Sequence, residues 1–302
     1  MSTIAILDLG TNTFHILIAD RDLHSPVIIF QETIAVKLGE GGISKKIISG
    51  DAFERGLNAI KKFKAYIDQF EVDEIKAVAT SALRTATNGK DFLNRVEAET
   101  GVQVIFIEGD REAELIYHGV RRAVDLSKSK ALIIDIGGGS TEFILCNEKQ
   151  IFWKKSFEIG AARLMDQFHH TDPISKFEIE ELTKHLNTIL PELKAELIIH
   201  QPDLLVGSAG AFETFAALCD EEFTNTTQTA FTFDLNKIRE IFEWIIKSNR
   251  EVRKQSQFIV PVRVDMIVTA TLLTRYVLGL HPFKAMQLSG YSLKEGLLFE
   301  NY

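Results

Sequence analysis

Two carboxylates flank three consecutive glycines in the segment ALIIDIGGGSTEF, residues 131–143. The glycines leave backbone N–H groups unshielded, and successive N–H groups in a tight turn form a concave nest that suits phosphate oxygens. Two hydroxyl side chains follow the glycines at the rim of this nest. The segment therefore predicts phosphate binding by Gly137, Gly138, Gly139, Ser140 and Thr141.

The acids beside this turn, Asp135 and Glu142, would repel a phosphate unless a cation sits between them. A Mg²⁺ ion held by one or two carboxylates, waters and phosphate oxygens removes that conflict. Glu142 precedes the apolar strand FILC, which favours a buried carboxylate over the alternative, a flexible hairpin tip with two solvated acids. We therefore predict Mg²⁺ as the cofactor, with Asp135 and Glu142 as its ligands.

An earlier segment, DLGTNTFH from residue 8, has the same design with polar side chains in place of glycines. Asn12 and Thr13 can donate side-chain hydrogen bonds to the same phosphate from across a cleft. His15 follows in the apolar strand and is interpreted as structural. Arg84, at the end of the strand in TSALR, carries a planar fork that suits bidentate phosphate binding, and a surface salt bridge is the alternative.

Glu112 in GDREAELIY lies in the first turn of a helix that Asp110 is expected to cap. The helix dipole keeps a carboxylate ionised there, as a general base for an attacking water requires. A first-turn glutamate that only stabilises its helix is the alternative. Both interpretations stay open on these residues alone.

Strands that end at turns, and helices that follow them, must position these side chains. Apolar and β-branched runs predict strands at 3–9, 13–19, 26–36, 75–81, 102–108, 131–136, 141–146, 150–158, 203–207 and 284–288. Apolar residues that recur on one face, together with capping residues, predict helices at 51–70, at 88–99, from Asp110, from Ser175 to about His200, after residue 207, at 234–249, at 262–279, and from Ser292. Asp51 and Glu54 form a predicted capping pair for the first of these helices, and Ser175 and Glu178 form a predicted capping box. Pro191 is expected to kink or break the helix that starts at Ser175.

The segments DLGTNTFHILI and DIGGGSTEFIL begin 127 residues apart and share one pattern of strand, Asp, apolar residue, Gly, small residues and second strand. Each opens a run of three strands followed by a helix. The repetition indicates a duplicated domain whose halves face each other, and two unrelated hairpins are the alternative. Because strands then alternate with helices, we predict an α/β fold with mixed sheets.

The chain has 302 residues, which favours two domains, and its 45% hydrophobic and 25% charged residues are typical of a globular protein. A net charge of −8, without a basic run interleaved with aromatics, disfavours nucleic-acid binding. The N-terminus lacks the basic region of a secretory signal, and Arg275 interrupts the most apolar later run, so neither export nor membrane insertion is predicted. Two distant cysteines fit a reducing compartment, and we expect a cytoplasmic protein.

Together these residues resemble the exopolyphosphatase and guanosine pentaphosphate phosphohydrolase family (Ppx/GppA), within the actin, sugar kinase and Hsp70-like superfamily. The resemblance covers essentially the whole chain. It rests on ordered motifs: DLGTNTFH at 8, LGEGG at 38, TSALR at 80, the Glu112 helix, DIGGGSTEF at 135, EIGAARL at 158, VGSAGAFETFA at 206, PVRVDMI at 261 and LKEG at 293.

The resemblance implies two ribonuclease-H-like domains, 1–124 and 125–302, with the active site in the cleft between them and the last helix packing back on the first domain. It implies that Glu112 positions the water that attacks a terminal phosphoryl group and that Asp135 and Glu142 hold Mg²⁺. It also implies a homodimer. The phosphate positions that it implies are Asn12, Thr13, Arg84 and Gly137 to Thr141.

Three features of the sequence depart from the family pattern. Arg111 and Glu114 exchange the charges that flank the expected base, although the two can still pair at i,i+3. The usual Ser-Asp-Gly before the last helix is replaced by Ser289-Gly290-Tyr291. The sequence ends at Tyr302 without the helical C-terminal domain that longer members use to channel long polyphosphate, so we expect short chains to be favoured.

The predicted function is Mg²⁺-dependent hydrolysis of phosphoanhydride bonds, releasing terminal phosphate from inorganic polyphosphate or guanosine pentaphosphate. The exchanged Arg111 and Glu114 motivate a second hypothesis, a non-catalytic sensor that binds phosphate-rich nucleotides. A nucleotide-dependent kinase of the same superfamily is the third, and the sequence shows no evident motif for the second substrate that a kinase needs. The roles of Arg263 and Asp265 in PVRVDMI stay open, with a structural ion pair as one interpretation.

Overall fold

The structure is a computed structural model that describes residues 2–21, 26–225 and 228–300. Its contacts divide the chain into two compact units. Unit 1 consists of Met1–Gly119 and Leu293–Tyr302, and unit 2 consists of Val120–Ser292. The sequence placed a boundary between residues 124 and 125 and predicted that the last helix packs back on the first domain. The contacts place the boundary after Gly119 and group that helix with unit 1.

Unit 1 is built on a five-stranded sheet in the order β3-β2-β1-β4-β5. Its elements are β1 (Thr3–Leu9), β2 (Thr13–Asp20), β3 (Val27–Ala35), a 3₁₀ turn (Ile43–Lys45), α1 (Gly50–Gln69), β4 (Glu74–Ala79), α2 (Ser81–Thr85), α3 (Gly89–Thr100), β5 (Val104–Phe106), α4 (Gly109–Ala123) and, from the end of the chain, α12 (Leu293–Phe299). Strand β1 runs antiparallel to β2 and parallel to β4. Gly296 of α12 approaches the backbone of Leu115 so closely that a Cβ would lie 1.8 Å from the Leu115 carbonyl oxygen.

Unit 2 is built on a six-stranded sheet in the order β10-β11-β9-β6-β7-β8. Its elements are β6 (Ala131–Ile136), β7 (Thr141–Cys146), β8 (Ile151–Phe157), α5 (Ala161–Phe168), α6 (Lys176–Ile189), α7 (Pro191–His200), β9 (Leu204–Ser208), α8 (Gly210–Cys219), a 3₁₀ turn (Glu221–Asn225), β10 (Ala230–Phe233), α9 (Leu235–Lys247), α10 (Arg250–Gln255), α11 (Ile267–Leu280) and β11 (Ala285–Ser289). Every residue of β6 and β7 is buried, which explains their continuous apolar runs.

The two sheets repeat one strand arrangement. In each, the first strand is antiparallel to the second and parallel to the fourth, and the second is antiparallel to the third. The hairpins β1–β2 and β6–β7 therefore occupy equivalent places at the start of each unit. This agreement is what duplication of one domain predicts.

Several local expectations are refined by the structure. Helix α1 begins after Ser49 rather than at Asp51, so the expected capping pair does not start it. The expected long helix after Ser175 is broken at Pro191, because proline cannot donate within a helix and therefore starts a new one, α7. Among the helices that the structure describes, none has the length and apolar character required to span a bilayer.

The capping box of α6 provides a test of local stability. Burial alone would raise the pKa of Glu178, but hydrogen bonds from the Thr171 and Ser175 hydroxyls and from the Ser175 and His170 N–H groups outweigh burial and lower that pKa to about 2. A carboxyl with a depressed pKa stabilises the fold above its unfolded value of 4.5, and the contribution is lost as pH falls toward about 2.

We expect Glu178→Gln to destabilise the protein at pH 7 by about 1–2 kcal/mol, because the box loses its charged acceptor. Wild type and variant should converge as pH falls from about 4.5 toward about 2. Urea unfolding across that range measures the difference. Glu180→Gln, at an exposed position of the same helix, is the control. A gap that is independent of pH would contradict this account of the box.

Candidate active site

The glycine turn, residues 137–140, joins β6 to β7 in unit 2. The Gly137 N–H donates to the Ser140 carbonyl at 3.1 Å and closes the turn. From α5, the Ala161 N–H donates to the Gly137 carbonyl at 2.8 Å, and the Ala162 N–H donates to the Gly138 carbonyl at 3.0 Å. The N-terminus of α5 therefore holds the carbonyl side of the glycine turn.

The other side of the glycine turn carries three consecutive N–H donors, those of Gly138, Gly139 and Ser140. No hydrogen bond from these donors to another group is found within residues 2–21, 26–225 and 228–300. Gly139 and Ser140 are buried, and buried donors need an acceptor. The turn thus presents the donor array that the sequence predicts for phosphate binding.

Arg163 fixes the glycine turn from within α5. This residue is buried, its Nε donates to the Gly139 carbonyl at 3.0 Å, and its guanidinium forms an ion pair with Glu158. A buried guanidinium requires such partners. This arginine belongs to the motif EIGAARL but was not predicted as a site residue. The available signal was a charged residue between alanines and leucine at the start of a helix.

The Thr141 hydroxyl also stabilises the glycine turn. It donates to the Ile159 carbonyl at 3.1 Å, and the residue is fully buried. The sequence placed this hydroxyl at the rim as a donor to phosphate. In the structure this hydroxyl donates to a protein carbonyl instead. The acceptor, Ile159, lies in the connection between β8 and α5, which packs under the turn.

The two predicted metal ligands lie side by side on the unit 2 sheet. Asp135 of β6 pairs in register with Glu142 of β7. Ser208 of β9 stands beside Asp135, and Ser156 of β8 stands beside Glu142. Register neighbours on adjacent strands point to the same face of a sheet. The four side chains therefore form one row, here called the carboxylate row.

Serine hydroxyls hold both carboxylates of the row. Ser208 donates to Asp135 Oδ2 at 2.5 Å, and Ser292 donates to the same oxygen at 2.6 Å. Ser156 donates to Glu142 Oε1 at 2.6 Å. These serines were not predicted, because only the strand register and the chain's return to residue 292 bring them to the acids.

The donor set of the carboxylate row fits Mg²⁺. This ion takes one or two carboxylates and completes its shell with waters and phosphate oxygens. In the described part of the chain, no group of three or more His, Cys, Asp or Glu side chains forms a closed metal site. Asp135 and Glu142 are suited to a cation that is shared with a phosphate.

The equivalent turn of unit 1 is closed in the same way. The Gly10 N–H donates to the Thr13 carbonyl at 3.1 Å. The Asn12 carbonyl accepts from the N–H groups of Val36 at 2.9 Å and Lys37 at 2.8 Å. The predicted phosphate residues Asn12 and Thr13 thus lie on a turn whose carbonyl side is again held by another segment.

His15 stands where the second unit has a carboxylate. It pairs in register with Asp8, as Glu142 pairs with Asp135. Its Nε2 hydrogen-bonds the Thr13 hydroxyl at 2.9 Å, and its Nδ1 hydrogen-bonds the Thr33 hydroxyl at 2.9 Å. These contacts support the structural interpretation of His15, and they also engage the Thr13 hydroxyl.

Arg84 and Glu112 contact each other in unit 1. Arg84 lies in α2 rather than in the preceding strand, and its Nη1 donates to Glu112 Oε2 at 3.2 Å and to the Ile107 carbonyl at 2.7 Å. Glu112 lies in the first turn of α4 and is 7% exposed. The predicted phosphate-binding arginine therefore contacts the predicted base, in a salt bridge that is partly buried.

Three further charged residues named in the sequence motifs, Arg111, Arg263 and Asp265, form ion pairs. Arg111 pairs with Glu114 at 3.0 Å, the i,i+3 contact considered from the sequence. Arg263 pairs with Glu213 at 2.7 Å, and Asp265 pairs with Arg250 at 2.7 Å. The structural interpretation of the last two pairs is thereby supported.

Two sheets that repeat one strand arrangement, each opening on a hairpin that bears an aspartate, place the chain in the α/β class with two units. Comparison with family models matches residues 17–302 to the Ppx/GppA phosphatase family. Because the match spans nearly the whole chain, the chain belongs to this family. The family and fold class predicted from the sequence are confirmed.

The chain is similar to several named proteins and solved structures. A bifunctional 3-dehydroquinate synthase/phosphatase of Fusobacterium nucleatum is 30% identical over 284 residues, covering 91% of this chain but only 43% of that protein. Exopolyphosphatase 1 of Mycobacterium tuberculosis is 27% identical, covering 98% of this chain and 87% of that protein. The crystal structure of an exopolyphosphatase from Cytophaga hutchinsonii superposes with a TM-score of 0.95 at 36% identity, covering 99% of this chain and 97% of that one.

The packing of Gly160 beneath the glycine turn generates a stability prediction. A Cβ at this position would lie 2.5 Å from backbone atoms of Gly138 and Gly139. We expect Gly160→Ala to lower the free energy of unfolding by about 1–3 kcal/mol and to displace the glycine turn, because backbone atoms cannot move aside as easily as the end of a flexible side chain. Urea unfolding measures this loss of stability.

Gly279→Ala is the control, because Gly279 lies in a helix with open space around the new methyl group, and it should be neutral or slightly stabilising. Equal stability of Gly160→Ala and wild type would contradict the packing described.

Proposed function

We propose that this chain is a Mg²⁺-dependent phosphoanhydride hydrolase that releases terminal phosphate from inorganic polyphosphate. The main structural support for this proposal is the glycine turn, whose three consecutive N–H donors lie at the end of the strand that also bears Asp135. Membership of a phosphatase family and similarity to proteins named exopolyphosphatases support the substrate. Guanosine pentaphosphate contains the same bond type and is the second substrate to be tested.

Each group of the chain has a separate task in this proposal. The N–H groups of Gly138, Gly139 and Ser140 bind phosphoryl oxygens and stabilise the charge that develops on them. Mg²⁺, when bound by Asp135 and Glu142, neutralises phosphate charge. Glu112 orients the attacking water and accepts its proton. Direct attack by water requires no covalent enzyme intermediate.

Arg84 and the serines of the carboxylate row act through the groups that they touch. The partly buried contact between Arg84 and Glu112 restricts the orientation of the carboxylate. Ser208 and Ser292 restrict Asp135, and Ser156 restricts Glu142, so that the remaining oxygen lone pairs have defined directions. Such supporting contacts raise the affinity of a metal site.

Substitution of the base tests the reaction. Glu112→Gln keeps the size of the side chain but cannot accept the proton, so phosphate release from polyphosphate should fall by about 10²–10⁴-fold. Glu114→Gln, on the same helix but partly exposed, is the matched control and should stay within a few-fold of wild type. A malachite green assay with Mg²⁺ measures both variants on polyphosphate and on guanosine pentaphosphate.

The same assay separates the competing functions. Turnover that depends on Glu112 excludes the sensor hypothesis. If wild type releases no phosphate from either substrate, or if Glu112→Gln equals wild type, the proposed hydrolysis is wrong. The sensor hypothesis, motivated by the exchanged Arg111 and Glu114, would then be favoured.

Removal of one serine hydroxyl tests the metal site without relying on turnover. We expect Ser208→Ala to weaken binding of Mn²⁺, a spectroscopic substitute for Mg²⁺, by about tenfold, because Asp135 Oδ2 loses the Ser208 hydroxyl as a donor. Electron paramagnetic resonance titration reports the free ion directly. Ser248→Ala is the control, since that buried hydroxyl donates to the Ile245 carbonyl instead. Unchanged Mn²⁺ affinity in Ser208→Ala would remove Asp135 from the proposed site.

A further inference from the structure

One buried hydroxyl of unit 1 has no hydrogen-bond partner. Ser81, the first residue of α2, is 1% exposed. Among the buried hydroxyl oxygens of residues 2–21, 26–225 and 228–300, its Oγ is the one without a donor or acceptor in reach. Nearby hydroxyls are bonded, since Thr80 donates to the Leu9 carbonyl at 3.5 Å and Thr85 donates to the Ser81 carbonyl at 2.9 Å. Buried polar groups are normally satisfied, so an unsatisfied one requires a bound molecule or a catalytic role as its explanation.

Ser81 lies at the carboxyl edge of the parallel strands of unit 1. Strand β4 lies between β1 and β5 and is parallel to both, and the last residues of the three strands are in register. The hairpin turn follows β1, Ser81 follows β4, and the helix α4 that bears Glu112 follows β5. Ser81 is therefore placed between the hairpin turn and the start of α4, at the edge where open α/β sheets bind their ligands.

Helix α2 connects Ser81 to the expected base. Arg84 follows Ser81 by three residues, which places both side chains on one face of the helix. Side chains of a helix lean toward its N-terminus, so the Arg84 guanidinium extends toward the turn that holds Ser81. The Nη1 of Arg84 donates to Glu112 Oε2 at 3.2 Å. The unsatisfied hydroxyl is thus on the side of α2 that faces the Glu112 contact.

An attacking water needs more than one hydrogen-bond partner to be held in a single orientation. A buried water makes about three hydrogen bonds. Glu112, as general base, accepts one proton of this water. A second acceptor for the other proton gives the lone pairs of the water oxygen a defined direction. A serine hydroxyl offers two acceptor lone pairs, whereas the guanidinium of Arg84 can only donate.

We propose that the Ser81 hydroxyl accepts a hydrogen bond from the water that Glu112 deprotonates and so aims this water at the terminal phosphorus. This inference rests on the proposed hydrolysis and adds a second residue to its water-binding site. In the reaction, the water oxygen bonds to the terminal phosphorus while the bridging P–O bond breaks. One water proton passes to Glu112, and the bridging electron pair leaves with the shortened polyphosphate.

Ser81→Ala separates this role from a structural one. Because Ser81 Oγ makes no hydrogen bond within the described chain, the urea unfolding midpoint of the variant should equal or exceed that of wild type. The kcat for phosphate release from polyphosphate with Mg²⁺ should fall by about 10–10²-fold, because the water is no longer aligned. KM should stay within about twofold of wild type, since the hydroxyl does not bind the phosphate chain itself.

Thr100→Ala is the matched control. Thr100 is a buried residue of the same unit, and its hydroxyl donates to the Val96 carbonyl at 2.7 Å. Its removal should lower the urea midpoint and leave kcat unchanged. Three results for Ser81→Ala would overturn the inference: an unchanged kcat, a raised KM at unchanged kcat, which indicates a contact with the phosphate chain, or a lowered urea midpoint, which indicates a hydroxyl used within the fold.

A double substitution tests whether Ser81 acts through the same water as Glu112. Two residues that serve one water are not additive, so Ser81→Ala in the Glu112→Gln background should lower the residual rate by less than about twofold. A further loss as large as that in the wild-type background would show that the two residues act independently, and would contradict the inference.

Crystals of wild type with Mn²⁺ and methylenediphosphonate, which lacks a hydrolysable bridging oxygen, test the water site without turnover. We expect an ordered water about 2.6–3.2 Å from both Ser81 Oγ and a Glu112 carboxylate oxygen. A water bonded to only one of the two residues would contradict the inference. If wild type shows the shared water but releases no phosphate, the hydrolase proposal fails and the water site stands. If turnover depends on Glu112 but not on Ser81, the hydrolase proposal stands and the inference fails.

Discussion

The site of unit 2 depends on hydrogen bonds to the carbonyl groups of the glycine turn. Peptide C=O and N–H groups point in opposite directions, so a segment that binds the carbonyls commits the N–H groups to the other side. The N-terminus of α5 and the buried Arg163 provide that binding, and Gly160 allows the close approach. The turn is thereby held in a form in which Gly138, Gly139 and Ser140 offer their donors outward from α5. An unsupported glycine turn would be free to adopt many conformations and would lose this array.

The two units use one hairpin design for different electrostatic purposes. In unit 2 the carboxylate row beside the glycine turn contains Asp135 and Glu142, each of which accepts hydrogen bonds from serine hydroxyls. The partial positive charge near these carboxylates comes from the backbone N–H groups of the glycine turn. In unit 1 the residue equivalent to Glu142 is His15, which bonds two threonines and adds no carboxylate. The row beside the hairpin turn thus contains two carboxylates, Asp135 and Glu142, in unit 2, and one carboxylate and one imidazole, Asp8 and His15, in unit 1.

Much of this arrangement was predictable from the sequence, because strand periodicity and glycine turns leave local patterns. The hairpins, the break at Pro191, the capping box at Ser175 and the family all follow from residues close together in the chain. Other features require strand register or tertiary packing. Ser208 reaches Asp135 only because β9 pairs with β6, and the pairing of Arg84 with Glu112 depends on where α2 and α4 meet. Neither contact has a signal within a short window of sequence.

The most direct test of the account is a crystal structure grown with Mn²⁺ and a short polyphosphate, using the Glu112→Gln variant to prevent hydrolysis. Anomalous scattering identifies Mn²⁺ without reference to any assumed site. We predict one strong peak at Asp135 and Glu142, with phosphate oxygens accepting from the N–H groups of Gly138, Gly139 and Ser140. A structure in which phosphate is bound but these three N–H groups contact no phosphate oxygen, or in which Mn²⁺ avoids both carboxylates, would contradict the account.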